Sequence, residues 1–131
     1  MSTNNNRLRN PLKTARGLGS AQYGTHHFVV QRVTAIALVF LTIYVIGLIL
    51  SLIGGDYAGV RATVGHPCNA LLLSAFLIAS FWHAKLGMQV IIEDYVHTPG
   101  LAMASQLAVV FVCVLAALAS VLAVIRIALG A

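Results

Sequence analysis

From Val33 to Ile53 the chain runs for 21 residues without a charged side chain, and from Leu101 to Ile125 for another 25. At a rise of about 1.5 Å per residue, each run is long enough to cross a hydrocarbon core of about 30 Å as a helix. A third apolar stretch, from about Pro67 to about Ile92, has the same reach but carries His83 and Lys85 inside it. Backbone polar groups find no water in lipid, so runs of this length must be helical; they are too long for the alternating strands of a membrane barrel. Composition agrees: 60% of the 131 residues are hydrophobic and only 8% charged, too little polar surface for an ordinary soluble domain. The expected fold class is therefore all-α, an integral membrane protein with three transmembrane helices. Three helices bury little among themselves, so a partner subunit is expected to complete the bundle.

Charge sets the orientation. The net charge is +5, and Arg7, Arg9, Lys13, Arg16 and Arg32 all precede the first apolar run. The bias of basic residues toward the cytoplasm predicts a cytoplasmic N-terminus, with Arg126 near the other face as a modest exception. Residues 1–32 read as a basic cytoplasmic segment and 33–131 as a three-helix transmembrane domain, with spans at about 33–53, 67–92 and 101–125. Pro11, Gly17 and Gly19 keep the stretch from Leu8 to Ser20 from being a helix interior. Tyr23 to Arg32 leads into the first span, with Thr25 as the expected N-cap. Gly54 to His66 reads as an outer loop. The basic segment has no interleaved aromatics, so nucleic acid is not an expected partner, and the apolar run behind it is too long for a signal-peptide core. Cys68 and Cys113 lie far apart without metal-ligand spacing and read as packing residues.

The segment Phe81 to Pro99, FWHAKLGMQVIIEDYVHTP, carries the chemistry. An ionisable group inside a span is costly and by default marks a function. His83 and Gly87 are four apart and share a helix face, so one turn from the imidazole there is no side chain. Lys85 points to a different face and reads as a snorkelling residue or the partner of an acidic group on another subunit. Gln89 is either a helix–helix hydrogen bond or a cavity lining. Glu93, Asp94, Tyr95 and His97 cluster where this helix meets the headgroups. Tyrosine is common in interfacial belts, Arg32 alone reads as a positive-inside anchor, and His26 and His27 alone read as interfacial residues.

The pattern His-x3-Gly-x7-Asp-Tyr-Val-His, filled by His83, Gly87, Asp94, Tyr95, Val96 and His97, resembles the hydrophobic membrane-anchor subunit of succinate dehydrogenase, the D-type subunit of respiratory complex II. QRVTAIAL, from Gln31 to Leu38, is similar to that family's first-helix entrance. RGLGSA followed by Gly-x-His-His resembles the N-terminal region of its alphaproteobacterial members. His27 departs from the pattern, standing where some members carry an acidic residue.

The resemblance implies a membrane anchor of a succinate:quinone oxidoreductase, multi-pass in the bacterial inner membrane. His83 would be an axial ligand of a b-type haem (a haem b shared with a second membrane anchor, or cytochrome b, subunit) and hence a metal ligand through the haem iron. Arg32 would help hold the haem propionates. Tyr95, with Asp94, would bind ubiquinone. The flavoprotein subunit with its FAD and the iron–sulfur subunit with its clusters would be partners. This chain has no cysteine motif for a cluster and no residue expected to be catalytic by itself. Two alternatives stay open: the quinol:fumarate reductase direction, and a haem-free scaffold or transporter subunit in which His83 and Lys85 pack or relay protons.

Overall fold

The computed structural model of the chain describes residues 21–130, with side chains from residue 25 onward. Arg7, Arg9, Lys13, Arg16 and the stretch from Leu8 to Ser20 lie outside the described residues. Four helices follow one another: α1 (Ala21–Ser51), α2 (Tyr57–Gly65), α3 (Pro67–Tyr95) and α4 (Pro99–Ala128). Among the described residues there is no strand. Three of the helices, α1, α3 and α4, are long and apolar enough to cross a membrane.

The helix ends follow local chemistry. Pro67 and Pro99 occupy the first turns of α3 and α4, where a missing N–H costs nothing and a fixed φ favours the helix. Beyond α1 the chain turns at Gly54, whose φ of +81° favours a residue without a Cβ. Two expectations need correcting. The first helix does not begin at Thr25: it already runs from Ala21, so residue 32 falls inside it. Nothing between residues 21 and 33 stops a helix once the apolar stretch nucleates it, Gly24 alone being a weak breaker. The segment from Gly54 to His66 is not all loop either. Asp56 caps α2, its carboxylate accepting from the Gly59 N–H at 3.0 Å, which satisfies a donor that the helix itself leaves unpaired.

The three long helices form a layer rather than a closed bundle. α3 is central, packed along α4 on one side and α1 on the other, while α1 and α4 do not pack on each other. α2 lies across the end of the layer against α3 and α4. Its approach to α4 is close: a Cβ on Gly65 would meet the Ile127 carbonyl oxygen at 3.2 Å. At the same end Tyr44 of α1 donates to Asn69 Oδ1 at 2.6 Å, and Asn69 Nδ2 donates to the Thr63 carbonyl at 2.7 Å, fastening α1, α3 and α2 together. Among the described residues the apolar core proper is only Leu86, Ile92 and Val124. The remaining apolar surface, including Phe40, Ile43, Phe111 and Leu118, is exposed and has the chemistry to meet lipid or other helices.

Candidate functional site

His83 sits near the middle of α3, on the face turned to α1. Its Nδ1 lies 3.0 Å from Thr34 Oγ1, and its Nε2 lies 3.5 Å from Gln31 Nε2. Gln31 and Thr34 are three apart on α1 and His27 is four before Gln31, so helical periodicity puts all three on one face of that helix. Sequence reading missed Gln31 and Thr34 as site residues. The available signal was this 27, 31, 34 polar spacing along an apolar helix, whose meaning depends on which residue of α3 it meets.

The seam contains polar groups that find no partner among the described residues. His27 Nε2 and Gln31 Oε1 are buried without a hydrogen-bond partner. Such groups cost about 1–3 kcal/mol each when left unpaired, so they call for a polar partner beyond the described residues. Gly87, one turn from His83, leaves space: a Cβ there would meet nothing nearer than Gln31 Nε2 at 3.9 Å. A half-buried imidazole, a residue without a side chain one turn away and two polar atoms unpaired among the described residues are compatible with a flat cofactor that carries polar substituents. Among the described residues no group of three or more His, Cys, Asp or Glu is arranged to hold a bare metal ion. Cys68 is exposed and Cys113 half-buried, both as free thiols.

The other predicted residues are placed apart from His83. Tyr95 is the last residue of α3 and is 77% exposed, so its phenol stands clear of this chain. Because α3 is unbroken, the twelve residues from His83 to Tyr95 correspond to about 18 Å along the helix. Asp94 and His97 are also exposed beside it. Arg32 does not share the contacts of His83; its guanidinium lies 4.8 Å from the centre of the Phe28 ring, one turn earlier on α1. His26 is exposed and His27 half-buried, so of the adjacent pair only His27 turns into the seam.

Lys85 and Gln89 belong to the opposite side of α3. With Ile92, Gln106, Val109 and Val110 they line a cavity between α3 and α4. The Lys85 ammonium lies 5.8 Å from the Trp82 ring, toward the start of α3 rather than toward Tyr95. Gln89 donates to Glu93 Oε1 at 2.9 Å within the same helix while also lining that cavity.

Residues 6–117 match the family described as succinate dehydrogenase/fumarate reductase transmembrane subunit. Among curated relatives, a succinate dehydrogenase hydrophobic membrane anchor subunit of Rickettsia bellii is 37% identical over 89 residues, covering 68% of this chain and 71% of the relative. One from Paracoccus denitrificans is 36% identical over 85 residues, 65% of this chain and 66% of the relative. One from Rickettsia typhi is 27% identical over 110 residues, 84% and 88% of the two chains. No solved structure matches the chain. The chain is a multi-pass membrane protein and belongs to the succinate dehydrogenase/fumarate reductase transmembrane subunit family.

Proposed function

We propose that this chain is the membrane-anchor subunit of a succinate:quinone oxidoreductase, co-ligating a b-type haem through His83 and forming part of a ubiquinone-reduction site with Tyr95 and Asp94. The observation that carries the proposal is the placement of His83 on α3: turned to α1, one turn from the gap at Gly87, and on the same rigid helix as a phenol at its end. Bound haem supplies a one-electron store within the membrane. His83 would hold it from this side, a second membrane subunit from the other, and the exposed Arg32 guanidinium is available to its propionates.

Reducing a quinone to a quinol takes two electrons and two protons. The electrons come from succinate oxidation on a flavoprotein subunit and pass through an iron–sulfur subunit, both partners on the Tyr95 side, which the basic-residue bias makes cytoplasmic. The Tyr95 hydroxyl donates a hydrogen bond to a quinone carbonyl and orients it. Asp94 and His97 stand beside it in the headgroup region, where protons arrive from water. The same arrangement runs in reverse as a quinol:fumarate reductase anchor, because cofactor potentials and quinone type set the direction.

A haem-free scaffold is the second reading, favoured by one observation: Thr34 and Gln31 already lie against both ring nitrogens of His83. Isolating the complex from its native membrane by a tag on this chain, then recording a reduced-minus-oxidised spectrum and a flavin assay, separates the readings. Haem b with covalent flavin is the expected result. Flavin without haem leaves the anchor role and removes His83 as ligand; absence of both from an intact preparation refutes the proposal.

A further inference from the structure

We infer that Thr34 is the positioning residue for His83, accepting a hydrogen bond from Nδ1–H and thereby leaving the Nε2 lone pair as the one presented for ligation. The argument starts from the hydroxyl. Thr34 Oγ1 lies 2.9 Å from the Val30 carbonyl oxygen and 3.0 Å from the Gln31 carbonyl oxygen, in both cases as donor. It has one proton. Turning that proton to His83 would set the hydroxyl lone pairs against two carbonyl oxygens at these distances, with no hydrogen between them. The proton therefore stays on the α1 backbone, and toward His83 Nδ1, 3.0 Å away, the hydroxyl offers a lone pair. A contact of that length between two acceptors is repulsive, so Nδ1 carries the hydrogen. In the neutral ring Nε2 is then the bare nitrogen.

The opposite side of the ring is consistent with this: the amide nitrogen of Gln31 lies 3.5 Å from Nε2, a donor facing a lone pair. The distance is at the outer limit of a hydrogen bond, so the amide is a loose neighbour that would give way at little cost if Nε2 were ligated. Gly87 leaves room for it, since a Cβ there would be 3.9 Å from that same nitrogen. The two contacts on His83 are therefore unequal: a short one that fixes the tautomer and ring plane, and a long one that yields. Such an outer partner sets ring orientation and raises the basicity of the ligating nitrogen, and its loss typically costs about 10–100-fold in metal affinity.

This inference rests on His83 being the haem ligand, and the test separates the two. Thr34→Val, Thr34→Ala and Thr34→Ser are made in the intact complex alongside His83→Ala, and the haem content and midpoint potential of each are measured by redox titration of the b-haem band. Valine and alanine remove the acceptor, with and without the side-chain bulk, so either one suffices if the other does not assemble. The expected result is a higher midpoint potential and weaker haem retention in both, because a less basic imidazole stabilises ferric iron less, with wild-type values in the serine variant. An unchanged haem spectrum in His83→Ala overturns the ligand assignment itself. Loss of haem in His83→Ala together with wild-type potentials in Thr34→Val or Thr34→Ala overturns the role of Thr34 alone. A shift in serine as large as in valine overturns it too, since the methyl group rather than the hydroxyl would then matter.

Discussion

Tyr95 combines an apolar ring, a single hydroxyl and 77% exposure at the end of a membrane helix, and its contacts within this chain decide nothing about its chemistry. Tyr95→Phe removes the hydroxyl alone. We expect that variant to assemble with normal haem and to lose quinone reduction by about 10²-fold or more, as when one positioned donor is removed from a reacting oxygen. Steady-state turnover with a soluble quinone measures it, and normal turnover would remove the role assigned to the phenol. His83→Ala should lose or perturb the haem band; loss of the band need not abolish quinone reduction. The spacing of His83 and Tyr95 was legible in the sequence because one continuous helix carries both, and a helix preserves spacing. Gln31, Thr34 and His27 were harder, because a polar residue on an apolar helix acquires meaning only from the register of the helix facing it. That register is set by side-chain packing over the whole length of α1 and α3, which spacing within either helix does not encode.

At the scale of elements, α2 shows how a loop reading goes astray. Gly54, Gly55 and Asp56 are turn residues, and they drew the whole segment into a loop, yet Asp56 is also an N-cap and the residues after it are helical. Asp56→Ala should cost about 1 kcal/mol of α2 stability. Hydrogen exchange resolved to peptides would show it as faster exchange of the first-turn amides of α2, with α3 and α4 unchanged. Tyr44→Phe breaks the bond to Asn69 while keeping the ring, and should lower the stability of the α1–α3 pairing by about 1 kcal/mol. Denaturation in mixed micelles is the measurement. The long helices themselves were legible, because apolar length is a property of contiguous sequence, whereas their ends depended on caps and extended past the apolar runs to Ala21 and Tyr95.

For the whole molecule, a layer with a core of three buried apolar residues among those described is incomplete. Expressed without the second membrane subunit proposed above, the chain should be degraded or aggregate, and co-expression should restore it; a pulse-chase in both backgrounds distinguishes these outcomes. The proposed orientation gives a separate expectation: alkaline phosphatase fused after Ala131 should be active, because three spans carry the C-terminus to the side opposite the N-terminus. An inactive C-terminal fusion in a stable chain would reverse the topology. Fold class could be read at this scale from hydropathy alone, but the open, single-layer form could not, since the same three runs are compatible with a closed bundle.

The pairing of α1 with α3, and not with α4, also has a consequence in time. Translation at about 5–20 residues per second delivers α1 to the membrane some seconds before α3 is finished. Throughout that interval His27, Gln31 and Thr34 face the lipid or the insertion machinery with no helix of their own chain to cover them. The nascent protein therefore passes through a stage in which this polar stripe is not yet covered by α3, and a neighbouring helix that shelters the stripe lowers the energy of insertion.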